Sequence, residues 1–158
     1  MPTRIAVFSS PMKKKIIAGL ILMLGFGGCA TYQAPAPDAK GTASIRVEDP
    51  HLFPHRFGIT KIDGADTTPG GILAVRLPPD HLSVAAGHHV FKVRYTMGTF
   101  IGWGQIEADI SEGHSYTVLS KERGMKFIAW IVDDSTGNPI AGLAGSDWKS
   151  WLLGDLAK

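Results

Sequence analysis

From Ala43 onward the chain is built of short runs in which apolar and polar side chains alternate. In the stretch 90–95, Phe91, Val93 and Tyr95 fall on one face and Lys92 and Arg94 on the other. Ile106, Ala108 and Ile110 alternate with Glu107 and Asp109 in the same way. A period of two turns one face of a strand to a core and the other to water, the habit of antiparallel sheet. The runs are rich in β-branched and aromatic residues and are bounded by Gly, Pro and Asp. They predict strands at 43–48, 56–62, 72–77, 89–95, 104–110, 115–120 and 126–133. Turn clusters at 111–114, 121–124 and 133–139 separate the later runs, each containing a glycine.

About seven strands in roughly 100 residues predict an all-β fold, a single antiparallel β-sandwich of immunoglobulin-like or prealbumin-like shape over 43–145. One apolar stretch breaks the alternation. Residues 97–104 (MGTFIGWG) place Phe100, Ile101 and Trp103 among three glycines and read as a loop between strands. Large aromatics on such a loop either plug the end of the sandwich or form a partner-binding edge, where Trp dominates interface energetics. Exposure of Trp103 would favour binding.

The two ends of the chain differ from the middle. Residues 30–42 carry two prolines, small side chains and no apolar period, which predicts an extended linker of up to about 40 Å at roughly 3.1 Å per residue. At the other end Ser146 is placed to cap a short amphipathic helix over 146–158. Asp147 would lie in its first turn, with Trp148, Trp151, Leu152 and Leu156 at helical spacing. Such a helix would serve as a lid on the sandwich, an interfacial helix or a partner-binding helix.

Before the linker, Lys13, Lys14 and Lys15 precede an apolar run that reaches Gly28. Its 13 residues span about 20 Å as a helix, short of a hydrocarbon core about 30 Å thick. A basic segment, a short apolar region and small residues at the end describe a cleaved signal rather than a membrane span. The order of charge, apolar run, Gly27-Gly28 and Cys29 resembles a bacterial lipoprotein signal, with translation possible from Met12. That resemblance implies cleavage before Cys29, removal of residues 1–28, and a lipid bonded covalently to the Cys29 sulfur. Ala30 after the cysteine is similar to an outer-membrane address, facing the periplasm. Two acyl chains already give stable attachment, and mature proteins of that kind carry three.

Removal of the leader changes the charge. Of 16 basic residues, Arg4 and the three lysines leave with it, so 12 remain against 14 acidic ones, a net of −2. The usual basic signature of nucleic-acid binding is then missing. Cys29 is the only cysteine, so no internal disulfide can form, and acylation would withdraw the thiol from catalysis and metal ligation.

Two segments carry a second resemblance. Ile62-Asp63-Gly64 and Gly87-His88-His89-Val90-Phe91-Lys92-Val93 resemble the strand-ending turn and the Gly-x-His strand entry of the small envelope β domains called PEGA domains. Gly113-His114-Ser115-Tyr116-Thr117-Val118 is similar to a strand entry of small proteobacterial envelope lipoproteins. The Pro-Glu-Gly-Ala stretch itself is replaced by Glu48-Asp49-Pro50-His51. What the resemblance implies is a β fold at the envelope, without a defined activity.

Candidate chemistry is sparse. Six histidines lie beyond the leader: His51, His55, His81, His88, His89 and His114. Imidazole binds zinc and copper readily, which makes His81, His88 and His114 candidates for a periplasmic metal handler. Pro54 interrupts the 51/55 pair, and His88 and His89 on a strand point to opposite faces. Asp133, Asp134 and Asn138 around Gly137 could supply calcium oxygens, although the same residues make good hairpin chemistry. A small hydrolase would need an activated serine, and no Gly-x-Ser-x-Gly elbow is present. The expectation is therefore a protein with no catalytic residues and no cofactor beyond the covalent lipid. Its partners would be the bilayer, through the anchor, and an envelope protein, with Phe100, Ile101 and Trp103 as the contact.

Overall fold

The computed structural model describes residues 30–37, 39–48, 55–68, 78–123 and 126–146, together with Lys149. The leader, Cys29, the strand expected at 72–77 and all but Ser146 and Lys149 of the expected C-terminal helix lie outside the described residues. The described strands are β1 (Thr42–Val47), β2 (His55–Ile62), β3 (Ala65–Asp66), β4 (His81–Ala85), β5 (Gly87–Met97), β6 (Phe100–Ile110), β7 (Ser115–Arg123), β8 (Lys126–Asp133) and β9 (Asn138–Gly142). They form two sheets, ordered β4-β1-β7-β8-β9 and β3-β2-β5-β6. The fold is all-β, as the alternation predicts.

The core lies between the sheets. Ile59, Ile62, Phe91, Val93 and Ile106 from one sheet meet Ile45, Val84, Val118 and Ile131 from the other, each at 1% exposure or less. Phe91, Val93 and Tyr95 point inward and Lys92 outward, as the period requires. Buried aliphatic side chains of this size stabilise by roughly 1.5–3 kcal/mol apiece, which fixes the register of every strand that carries them.

Four expectations need correction. The sheet is mixed rather than antiparallel throughout, because β1 pairs parallel with β7 from Ser44↔Ser115 to Val47↔Val118. Strands β3, β4 and β9 are additional. The apolar stretch 97–104 is not a loop: β5 and β6 pair without interruption to Met97↔Phe100 and turn over Gly98-Thr99. Gly98 has φ 58, the positive value that a two-residue hairpin turn needs at its first central position. Gly102 and Gly104 serve close packing instead of flexibility. A Cβ on Gly102 would lie 2.7 Å from the Phe127 ring, and one on Gly104 would lie 2.1 Å from Leu143 Cδ1.

The fourth correction concerns the linker, whose first residues are docked. Thr31 pairs with Asp66 in parallel, the Asp66 N–H donates to Ala30 O at 2.9 Å, and the Tyr32 N–H donates to Asp66 O at 2.7 Å. The half-buried Tyr32 packs on the core and donates its hydroxyl to Ser83 O at 2.9 Å, reaching from β3 to β4. On the other side Leu143 bridges Ile106, and the Ala144 N–H donates to Gln105 O at 2.8 Å. Both open sides of the sandwich are thus tied by backbone or hydroxyl bonds.

Candidate binding face

Strand pairing arranges the outward side chains of the four-stranded sheet into rows. One row runs Asp66, Lys61, Lys92, Gln105 across β3, β2, β5 and β6. The next holds Gly58, Arg94 and Trp103, and a third holds Arg56, Thr96 and Ile101. A bulge between Ile59 and Lys61 turns both Thr60 and Lys61 toward Lys92. Because β5 and β6 are locked by continuous pairing, these side chains stand on rigid backbone.

The aromatic on this face is open to solvent. Trp103 is 62% exposed and Ile101 54% exposed. The Arg94 guanidinium carbon lies 5.8 Å from the centre of the Trp103 ring, within cation–π range. Trp103 separates two shallow grooves. One is lined by Thr60, Lys61, Lys92, Gly104 and Gln105, and the other by Thr60, Lys61, Asp66, Thr68, Pro78 and Arg94. Pro78 covers Gly58, whose Cβ would sit 2.6 Å from it, and so walls the second groove. Lys61 bonds Asp66 at 2.9 Å, the one carboxylate in these rows. Such a surface suits an anionic ligand with an apolar portion.

The predicted contact trio is split by this geometry. Ile101 and Trp103 share the outer face, whereas Phe100 lies on the Gly102 side of the strand, its ring near the position a Gly102 Cβ would occupy. Lys61, Lys92 and Arg94 were not foreseen as belonging to a site. The signal for Lys92 and Arg94 lies in the wet face of β5, but bringing Lys61 of β2 beside them and Arg94 opposite Trp103 requires the strand pairing and the two-residue turn at Gly98-Thr99.

The histidines of the metal expectation, His81, His88 and His114, are distributed over the fold, and His51 lies outside the described residues. His81 opens β4 and is exposed, in the sheet opposite to that of His88. His88 Nδ1 sits 3.0 Å from Asp109 on the outer face. His114 Nδ1 sits 2.8 Å from Asp133. Among the described residues no group of three or more His, Cys, Asp or Glu side chains is gathered for a metal. Asp133 also accepts from the Ser135 N–H and hydroxyl, at 2.9 and 2.6 Å. The serine there bonds the carboxylate rather than the imidazole, so a Ser–His–Asp relay is not formed at this position. The Ser135 hydroxyl, with His114, holds the Asp133 carboxyl down to about 2. Asp134 accepts from the Thr117 hydroxyl at 2.7 Å. The Asp133 and Asp134 carboxylates expected for calcium are therefore engaged with His114, Ser135 and Thr117.

His89 has a structural place. It is buried, with Nδ1 2.6 Å from Asp63 Oδ2 and Nε2 2.8 Å from Ala85 O. Both partners are acceptors, so a ring carrying both protons satisfies both contacts. The other Asp63 oxygen accepts the Val90 N–H at 2.8 Å. Burial works to raise the Asp63 carboxyl, but the Val90 N–H and His89 together carry it below the usual range. The segments 62–64 and 87–93, far apart in sequence, are joined by these bonds.

Comparisons with family models, with curated proteins and with solved structures return no match for this chain.

Proposed function

We propose that the chain is a lipid-anchored binding module of the cell envelope, attached through Cys29 and facing the periplasm from the outer membrane. It binds or scaffolds an envelope component without catalysing a reaction. The order of charge, apolar run, small residues and cysteine over 13–29 supports the anchor. The observation that carries the binding is the pair Trp103 and Ile101, more than half exposed on a paired strand beside Arg94. Covering what each still exposes contributes roughly 1–2 kcal/mol by area. The rigid hairpin limits the ordering cost that usually offsets such a gain.

Two measurements test the reading. Labelled palmitate enters the wild-type protein and not the Cys29→Ser variant. Ile101→p-benzoylphenylalanine, irradiated in intact envelopes, forms adducts that disappear when Trp103→Ala is added. A wild-type protein that takes up no acyl chain, or a photoprobe that reacts only with water, refutes it.

A further inference from the structure

The geometry points to the anionic headgroup surface of the anchoring bilayer as the ligand of the Lys61–Lys92–Arg94–Trp103 face. This deepens the proposed function and rests on its assignment of the anchor to Cys29. The first argument is where the chain beyond the described residues ends. Ala30, bonded directly to Cys29, has its carbonyl fixed by the Asp66 N–H, and Thr31 pairs with Asp66. One residue spans about 3.8 Å, so no free spacer separates the acylated residue from the β3 edge. Thr31 continues the row Asp66, Lys61, Lys92, Gln105. At about 4.8 Å between strands, the whole row lies within roughly 19 Å of the anchored edge. The face is therefore held close to the headgroups at a high effective concentration.

Charge supplies the second argument. With the leader removed the chain carries a net of −2, yet the three rows around Trp103 gather Arg56, Lys61, Lys92 and Arg94 against Asp66, while Glu107, bonded to Gln105, and Asp109, beside His88, lie on the same outer side farther along β6. A cationic patch on a net acidic protein, beside its own lipid attachment, is complementary to anionic headgroups. The third argument is the ring itself. A tryptophan stacked by an arginine, with an isoleucine in the next row, presents the amphipathic set that settles at headgroup depth. The acyl chains hold the protein to the membrane, and the basic rows set the orientation in which the domain rests on it.

The test uses full-length acylated protein, with the lipid on Cys29 verified by mass. It is reconstituted into phosphatidylcholine vesicles with or without phosphatidylglycerol, their acyl chains brominated near the headgroup. Bromine quenching due to Trp103 is isolated by difference against Trp103→Phe. Quenching is expected in the anionic vesicles. It should fall to the neutral-vesicle level at high salt and in the Lys92→Glu/Arg94→Glu double variant, and be retained in Arg94→Lys. Far-UV circular dichroism and the thermal midpoint verify that the double variant folds. Verified acylated protein whose Trp103 is unquenched in anionic vesicles overturns the inference, as does equal quenching in neutral ones. Protein without lipid on Cys29 overturns instead the anchoring on which the inference depends.

Discussion

Asp63 offers a decisive perturbation, because three substitutions there separate three physical effects. Asp63 has φ 50, in the left-handed region, and is the non-glycine residue among those described that adopts positive φ. Its carboxylate receives the Val90 N–H and one ring nitrogen of buried His89. Losing the first bond costs about 1 kcal/mol, typical of a backbone donor near solvent. The second is charge-assisted, but the Asp63 side chain is 49% exposed, so solvent screening reduces it to about 1 kcal/mol. An alanine at this φ adds about 1 kcal/mol of steric cost. Asp63→Ala should therefore lose about 3 kcal/mol. Asp63→Gly escapes the φ cost but adds chain entropy on unfolding, and should lose about 2–2.5 kcal/mol. Asp63→Asn tolerates the conformation, keeps one acceptor, and should lose about 1 kcal/mol. Urea unfolding at pH 7 measures all three with one slope. If alanine proves as stable as asparagine, neither the retained acceptor nor the positive φ contributes as argued and the reasoning fails. The acid limb is a second check. The Asp63 carboxyl is depressed on folding, so its contribution is complete above its unfolded value near 4 and is lost as pH falls further. The gap between wild type and Asp63→Asn should close on acidification.

Three further outcomes are expected. Gly104→Ala should lose about 1–3 kcal/mol, because its Cβ displaces Leu143 from the seam between β6 and β9; unchanged thermal unfolding would contradict that packing. Asp133, held to about 2 by Ser135 and His114, should stabilise the fold above about pH 4 and release that contribution between about pH 4 and 2. A urea midpoint series against Asp133→Asn should converge over that window, and curves that stay parallel count against it. Tyr32→Phe removes the hydroxyl bond to Ser83 O and should cost about 0.5–1.5 kcal/mol, with faster amide exchange at Tyr32; equal exchange rates would show that the docked segment is held without it.

The β-sandwich was readable because alternation survives in β5 and β6, where Phe91, Val93 and Ile106 fill the core and their polar neighbours face water. The β1–β7 pairing was not readable, since parallel neighbours are joined by distant connections that leave no turn signal between them. β9 was hidden by Pro139 and Gly142, which argue against a strand unless it lies at an edge, where β9 does lie. Three glycines disguised the hairpin of 97–104 as a loop, although two of them occupy inward positions that Phe127 and Leu143 need. Trp103 and Ile101 could be chosen from sequence for bulk alone. The cationic rows around them required cross-strand register, which depends on the bulge at Thr60 and the turn at Gly98.

The docked segment 30–32 also decides how the protein would respond to mechanical tension. A pull applied at residue 29 meets first the two backbone bonds to Asp66, then the Tyr32 hydroxyl on Ser83. Those few bonds, together with the Tyr32 ring that packs on the core, yield in succession before the pull reaches Gly41, which Glu112 and Ala86 hold at the entry of β1. The fold thus carries a sacrificial fuse ahead of its first strand.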